Sequence, residues 1–341
     1  MAIINRGFET LSCIGTKRTS LQDLAEKADA MTVNWSDEVN VGPMTLNING
    51  DDITVGDGRQ NITDYAFSQM CGKVGVPASY ITKCLKNGKT NLAIQNYEEW
   101  AKTPELQDDK FLIRNYDGVV HAVLTDRYNV FDHSTVLHGL LDVMNKTPEL
   151  QGRYVPNEAF MSPDRLHIRF VNFDDPIVVG DEKLNSGFTI STNNVGSGAL
   201  VIKYFLYRFV CKNGMVRSTN GGVLFRQTHL SSFEENAPDF FGQIVAKVQK
   251  LDQRSQLEIA AAMGQQLNAL QFDTLLSKAQ HELHFGKKGK EKLMLLTDTT
   301  YDRSVWGVAN AITEMAQQYT LQSRIDMETW AGNIVSGAMA A

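Results

Sequence analysis

Between Lys183 and Phe233 the chain contains no aspartate and no glutamate. With 39 acids in 341 residues, a window of 51 should hold about six. The basic residues in it, Lys183, Lys203, Arg208, Lys212, Arg217 and Arg226, give it a charge of +6 inside a chain of net charge −6. A local reversal of this kind marks a candidate anion-binding surface.

Other scarcities narrow the class of protein. The 4 cysteines, Cys13, Cys71, Cys84 and Cys211, are scattered with no Cys-x-x-Cys pair, and no secretory apolar segment opens the chain. Both observations point to free thiols in a reducing, cytoplasmic compartment. No apolar run approaches the roughly 20 residues that cross a bilayer, so no membrane partner is expected. Gly-x-Ser-x-Gly, Gly-x-x-x-x-Gly-Lys-Ser/Thr and Gly-x-Gly-x-x-Gly are all missing, which removes the usual marks of nucleophilic hydrolysis and nucleotide-driven work.

Metal ligation has little to stand on. His133 and His138 are five apart, outside the spacing of a zinc-binding helix, and His281 and His284 flank Glu282 with no third ligand nearby. Asp51, Asp52 and Asp57 lack the closing Glu of a calcium loop. Asp174, Asp175, Asp181 and Glu182 read either as turn residues flanking a strand or as holders of a hydrated magnesium ion. No cofactor is expected.

The patterning predicts an α+β fold with a central, largely antiparallel sheet. Residues 1–105 read as helical segments around a hairpin: Ser20 opens a helix, Met44 to Val55 alternates about Asn49-Gly50, and Gly75-Val76-Pro77 links two further helices. Residues 106–232 read as an α+β core. It comprises a hairpin about Asp117-Gly118, a helix from Ser134 with Val136, Leu137, Leu140 and Leu141 inward, and strands at 166–173, 177–179, 188–192 and 199–211. Residues 233–341 read as all helical, with expected helices at 239–250, 255–270, 274–283, 304–319 and 323–335.

Within the acid-free stretch, Lys203-Tyr204-Phe205-Leu206-Tyr207-Arg208-Phe209 interleaves cations with aromatics. Phosphates are held by Lys and Arg, and unpaired bases stack on aromatic faces, so this run supplies both needs of a nucleic-acid site. As a strand it places Tyr204, Arg208 and Lys212 on one side and Phe205, Phe209 and Cys211 with Lys203 and Tyr207 on the other. One side is then a mixed aromatic and cationic surface and the other mostly core. The bland alternative is an ordinary sheet with solvated Lys and Arg tips. Arg127 and Tyr128, after the Asp117-Gly118 hairpin, offer another cation and ring, or else a surface pair with the ring packed beneath. Asn193 to Gly198 is either a phosphate-loop look-alike or a tight strand connection.

Several of these segments resemble one family. Thr125-Asp126-Arg127-Tyr128-Asn129-Val130 and the helix after it, Gly180-Asp181 leading to Phe188–Asn193, Gly196-Ser197-Gly198-Ala199, and above all Arg208-Phe209-Val210-Cys211-Lys212-Asn213-Gly214 are similar to the phage- and plasmid-borne family catalogued as domain of unknown function 932. The resemblance covers roughly residues 60 to 230, including the segment from Ala66 to Tyr80. It implies a protein of a mobile element in a bacterial host cytoplasm, in a replication or recombination setting. In outline the hairpin, helix and antiparallel sheet are also similar to ring-forming single-strand annealing proteins, a likeness at fold level alone.

These readings converge on an expected single-stranded DNA-binding or annealing protein, working as a homo-oligomer without bond chemistry. Lys203, Arg208, Lys212, Arg217 and Arg226 would hold phosphates, Tyr204 or Tyr207 would stack bases, and Arg127 with Tyr128 would add a second contact. The alternatives are a phage protein-interaction factor with a host or phage protein partner, and a metal-dependent nuclease using the carboxylates at 174–182.

Overall fold

Ser20 starts the described chain as a helix cap: its hydroxyl accepts from the Asp23 N–H while the Asp23 carboxylate accepts from the Ser20 N–H. This capping box satisfies two otherwise orphaned donors of α1 (Leu21–Thr32). A computed structural model describes residues 20–49, 52–147, 152–208, 213–216, 222–229 and 237–338. After α1 come β1 (Trp35–Val41), β2 (Leu46–Asn49), β3 (Asp52–Val55) and β4 (Gln60–Ile62), then α2 (Asp64–Val74), α3 (Ala78–Lys86), α4 (Thr90–Ala101) and the short α5 (Pro104–Gln107). β5 (Lys110–Tyr116) and β6 (Val119–Thr125) precede α6 (His133–Lys146).

The second half begins with β7 (Val155–Met161), β8 (Arg165–Val171), β9 (Ile177–Val179), β10 (Glu182–Asn193), β11 (Leu200–Arg208), β12 (Asn213–Val216) and β13 (Val223–Gln227). It ends in α7 (Ala237–Gly264), α8 (Ala269–Glu282), α9 (Lys287–Thr299), α10 (Val305–Ala316) and α11 (Leu321–Gly337). The α+β expectation holds, with two sheets among the described residues where the sequence suggested one.

The first sheet runs β1-β5-β6-β4-β3-β2, antiparallel except for the β4–β6 pair. The expected hairpins are both present: β2 pairs β3, with the turn at 50–51 outside the described residues, and β5 pairs β6 through Asp117 and Gly118, at φ 49° and 75°. Two successive positive φ angles give a turn whose twist matches the strands it joins. Because β5 pairs β1, the 110–125 hairpin belongs with the N-terminal strands. α2, α3 and α4 cover one side of this sheet through Phe67, Met70, Ile81 and Tyr97, whose hydroxyl donates to the Met44 carbonyl at 2.9 Å.

The second sheet is an antiparallel run β7-β8-β10-β11, with β9 beside β10 and both β12 and β13 alongside β11. Ile168, Phe170, Phe188, Ile190, Ile202 and Tyr204 point to one side, where α1, α6 and the C-terminal helices bury them in one continuous core. The expected helices at 239–250 and 255–270 are one continuous α7 as far as Gly264.

The two sheets meet at the turn after β10. Arg114 of β5 donates from Nη1 to the Asn194 carbonyl at 2.8 Å, and Gln69 of α2 donates to the Val195 carbonyl at 3.0 Å while accepting from the Val123 N–H. Gly196 sits at φ 74°, and a Cβ there would lie 2.5 Å from Leu124 Cδ2. The glycine-rich turn at 193–198 is therefore a structural joint between two sheets.

Candidate nucleic-acid interface

Strand alternation decides what the aromatic and basic run can present. On β11, Leu200, Ile202, Tyr204 and Leu206 face the helix-covered core, while Val201, Lys203, Phe205 and Tyr207 face the other side. The described residues up to Arg208 alternate as expected, with 209–212 outside the described residues, but the side expected to be an open aromatic and cationic surface is covered by helices. Tyr204 is 0% exposed, and its hydroxyl donates to Asp252 Oδ1 of α7 at 2.8 Å. Ser186 donates to the other oxygen of that carboxylate at 3.0 Å. Tyr204 is a core residue with a satisfied polar tip, and α7 shuts it off from bases.

Arg208 lies on the same side of β11 at its end and is also committed. Its Nε and Nη2 donate to Glu182 Oε2 and Oε1 at 2.7 and 2.6 Å, the forked geometry that guanidinium and carboxylate planes favour. Its guanidinium also stands 5.9 Å from the centre of the Tyr301 ring. The acid-free stretch of sequence is thus met in space by acids from elsewhere, Glu182 and Asp252 on this side and Asp326 on the other.

On the opposite side, Lys203 is half-buried in register with Thr189 and Val223. Burial holds its ammonium below the usual lysine value, Asp326 of α11 opposes that shift, and Arg226 adds to it, which places both charges close by. Arg226 on β13 is exposed. Tyr207 is buried, with its ring edge-on to Phe173 at 6.2 Å. Burial raises its phenol above the usual value, and a hydrogen bond with Asn157 works the other way. Lys212 and Arg217 lie outside the described residues.

Arg127 is exposed, whereas Tyr128 belongs to a stack at the joint between the sheets. The His229 ring is parallel to Tyr128 at 4.7 Å and to Phe131 at 3.8 Å, sandwiched between them. Of the nine expected contact residues the structure therefore brings Lys203 and Arg226 together, seats Arg127 and Tyr128 elsewhere, and removes Tyr204 into the core.

A buried cluster of four charges among the described residues was not expected from the sequence. Arg169 of β8 is 1% exposed, and its Nη1 and Nη2 donate to Glu328 of α11 at 3.2 and 2.6 Å. Arg324 spans Glu158 of β7 and Glu328, completing two cations and two anions. His167 sits beside them, with Nδ1 on the Ser191 hydroxyl at 2.7 Å and Nε2 accepting from Arg169 at 3.4 Å. Burial first, then Arg169, holds it well below the usual histidine value, so it is neutral with its proton on Nδ1. The signal was present in Leu166-His167-Ile168-Arg169-Phe170, whose strict alternation announces a polar side to β8.

The carboxylates read either as turn residues or as holders of a hydrated magnesium ion do not converge among the described residues. Glu182 holds Arg208, Asp175 reaches Arg153 at 3.4 Å, and among the described residues no group of three or more His, Cys, Asp and Glu side chains converges. No helix among the described residues is long and apolar enough to cross a membrane.

Residues 120–331 match the family described as Domain of unknown function (DUF932). The match starts later than the expected resemblance and runs on through the C-terminal helices, which share one core with the second sheet. No curated protein and no solved structure matches the chain.

Proposed function

We propose that this chain, which belongs to the DUF932 family, binds single-stranded DNA and acts as a strand-annealing protein of a phage or related mobile element. The observation that supports this reading best is the neighbourhood of Lys203 and Arg226, two cations within electrostatic reach of one another on a segment without acids of its own. Asp326 of α11 offsets part of the cost of holding a half-buried ammonium close to a second cation, and a phosphodiester would offset it further. Lys212 and Arg217, next to β12 in the sequence and outside the described residues, complete the proposed set, with Tyr207 as the remaining aromatic beside Lys203 on β11. No bond is made or broken, and oligomerisation would align many such sites along one strand.

A mobility shift with a labelled oligonucleotide tests the proposal. Binding at low salt that weakens steeply with added salt is expected, and no complex at micromolar protein would sink it.

A second reading, a phage protein-interaction factor with no enzymatic activity, is favoured by β1. It is the outer strand of the first sheet, with no strand on its free edge among the described residues, and Val39 and Val41 are 58% and 61% exposed. Such an edge can accept a strand from another chain. A change in solution mass on Val39→Lys with Val41→Lys would support this second reading.

A further inference from the structure

A second acid-free stretch lies outside the matched family region. From Tyr65 to Tyr97 the chain contains no Asp or Glu, where about four are expected at its average, and it carries Lys73, Lys83, Lys86 and Lys89. The first stretch proved to be met by acids in space. This one is not: among the described residues Lys83, Lys86 and Lys89 are exposed and make no ion pair.

The helices built from this stretch explain the arrangement. α3 buries Ile81 and Cys84 against the first sheet's core, which turns Ser79, Tyr80, Lys83 and Lys86 to the outer face at helical spacing. From Tyr80 to Lys86 the helix rises about 9 Å. The connection Asn87-Gly88-Lys89, with Gly88 at φ 65°, carries Lys89 between α3 and α4. On α4, Asn91 and Gln95 are exposed beside the buried Ala93 and Tyr97. Asn96 donates to the Tyr80 hydroxyl at 2.6 Å and ties the two helices together.

Helix electrostatics accounts for part of this pattern. Lysines in the last turn of α3 sit favourably against its negative end. The dipole does not account for a first turn of α4 that holds Thr90, Asn91 and Leu92, where acids would be stabilising, nor for the absence of acids from Tyr65 to Tyr97. The remaining acids of this unit, Asp64, Glu98 and Glu99, stand at its two chain ends, and Glu99 is paired with Lys102.

We infer that the outer face of α3 with its connection to α4, comprising Tyr80, Lys83, Lys86 and Lys89, is a binding surface for the phosphodiester backbone of a nucleic acid. The lysines contact phosphates, while the exposed phenol and the amides of Asn91 and Gln95 are the side-chain types that hydrogen-bond sugars and base edges. The surface has only Leu92 as a large exposed apolar residue on α4 before Trp100, too little to insert into a lipid interface. This surface is separate from Lys203 and Arg226 and does not depend on them.

The test is fluorescence anisotropy on the full chain with one labelled oligonucleotide, presented as a single strand and as a duplex, titrated with salt. Lys83→Glu with Lys86→Glu and Lys89→Glu should reduce the slope of log affinity against log salt by about two on the single strand, or nearly three on the duplex. The arm that responds identifies the strand state. Lys203→Glu with Arg226→Glu is measured in parallel, and an unchanged melting temperature confirms that each variant folds. An unaltered slope in the triple variant overturns the inference, whatever the paired variant does. A wild-type chain that binds neither polymer, or binds anionic phospholipid vesicles instead, overturns it as well.

Discussion

Arg169 and Glu328 are 159 residues apart in sequence and meet in a two-pronged ion pair, with Nη2 to Oε2 at 2.6 Å and exposures of 1% and 0%. The pair pins α11 onto the polar side of the second sheet. Arg324 and Glu158 extend it to four charges that sum to zero, and the Phe205 ring lies 5.2 Å below the Arg169 guanidinium. Charges this deep are tolerable only when every one is matched.

Breaking the pair should therefore cost far more than removing it. Glu328→Ala is expected to destabilise the fold by about 3 to 5 kcal/mol, because Arg169 would be left buried with half its partners. Arg169→Met with Glu328→Leu should recover a large part of that loss. Urea denaturation of the three proteins checks both statements; equal losses in the single and double variants would contradict the account.

Tyr204→Phe removes the hydroxyl that donates to Asp252. Burial holds the Asp252 carboxyl above the usual value, and the Tyr204 and Ser186 hydrogen bonds oppose this. Losing one donor to a charged acceptor should cost about 1.5 to 3 kcal/mol near neutral pH. With its folded pKa raised, Asp252 binds a proton in the native state before it does so unfolded. The penalty should therefore shrink as pH falls through that folded value, where the carboxyl no longer needs the donor. Stability measured from pH about 7 downward reads this directly.

The histidines set an opposite trend. Burial first of all lowers His229 to about 4 and His133 to about 3, and His167 is also held low. Around His229 a backbone hydrogen bond with Asn129 opposes the effect of burial, and Arg114 further disfavours the cation. Between about pH 6.5 and these folded values the unfolded chain takes up protons that the native one refuses. Stability is therefore fully present above about pH 6.5 and falls on acidification, by up to about 1.4 kcal/mol per pH unit for each histidine. His229→Leu should flatten that slope by one histidine's share in denaturation curves at several pH values.

Gly196→Ala should damage the joint between the sheets. The left-handed backbone alone costs about 1 to 2 kcal/mol for a residue with a Cβ, and the new atom would also press on Leu124. Gly152 is the control: it has a similar φ of 73° with nothing within 4 Å of the added atom. A larger loss at 196 than at 152 isolates the contact, and equal losses would show that the turn does not need it.

Lys203→Glu with Arg226→Glu should lower the salt slope of single-strand binding by about 1.4, the share of two phosphate contacts. Tyr204→Phe should leave that slope unchanged, since the ring is shut behind α7.

The sequence determined the fold class, both hairpins, the strand character of 200–208 and the helical C-terminal part, because period-two alternation, Asn-Gly and Asp-Gly turns and amphipathic spacing are local signals. It hid β1, whose Asp37 and Glu38 look like loop residues although Asp37 is there to meet Arg114 at 2.9 Å. It also suggested a break in α7 near Asp252, the residue that accepts from Tyr204. What only the tertiary structure decided was the electrostatic surface. A stretch without acids is a property of the chain, whereas a surface without acids depends on which elements pack over it. Folding brought Glu182, Asp252 and Asp326 to the first basic stretch and left the lysines of α3 without an ion pair among the described residues.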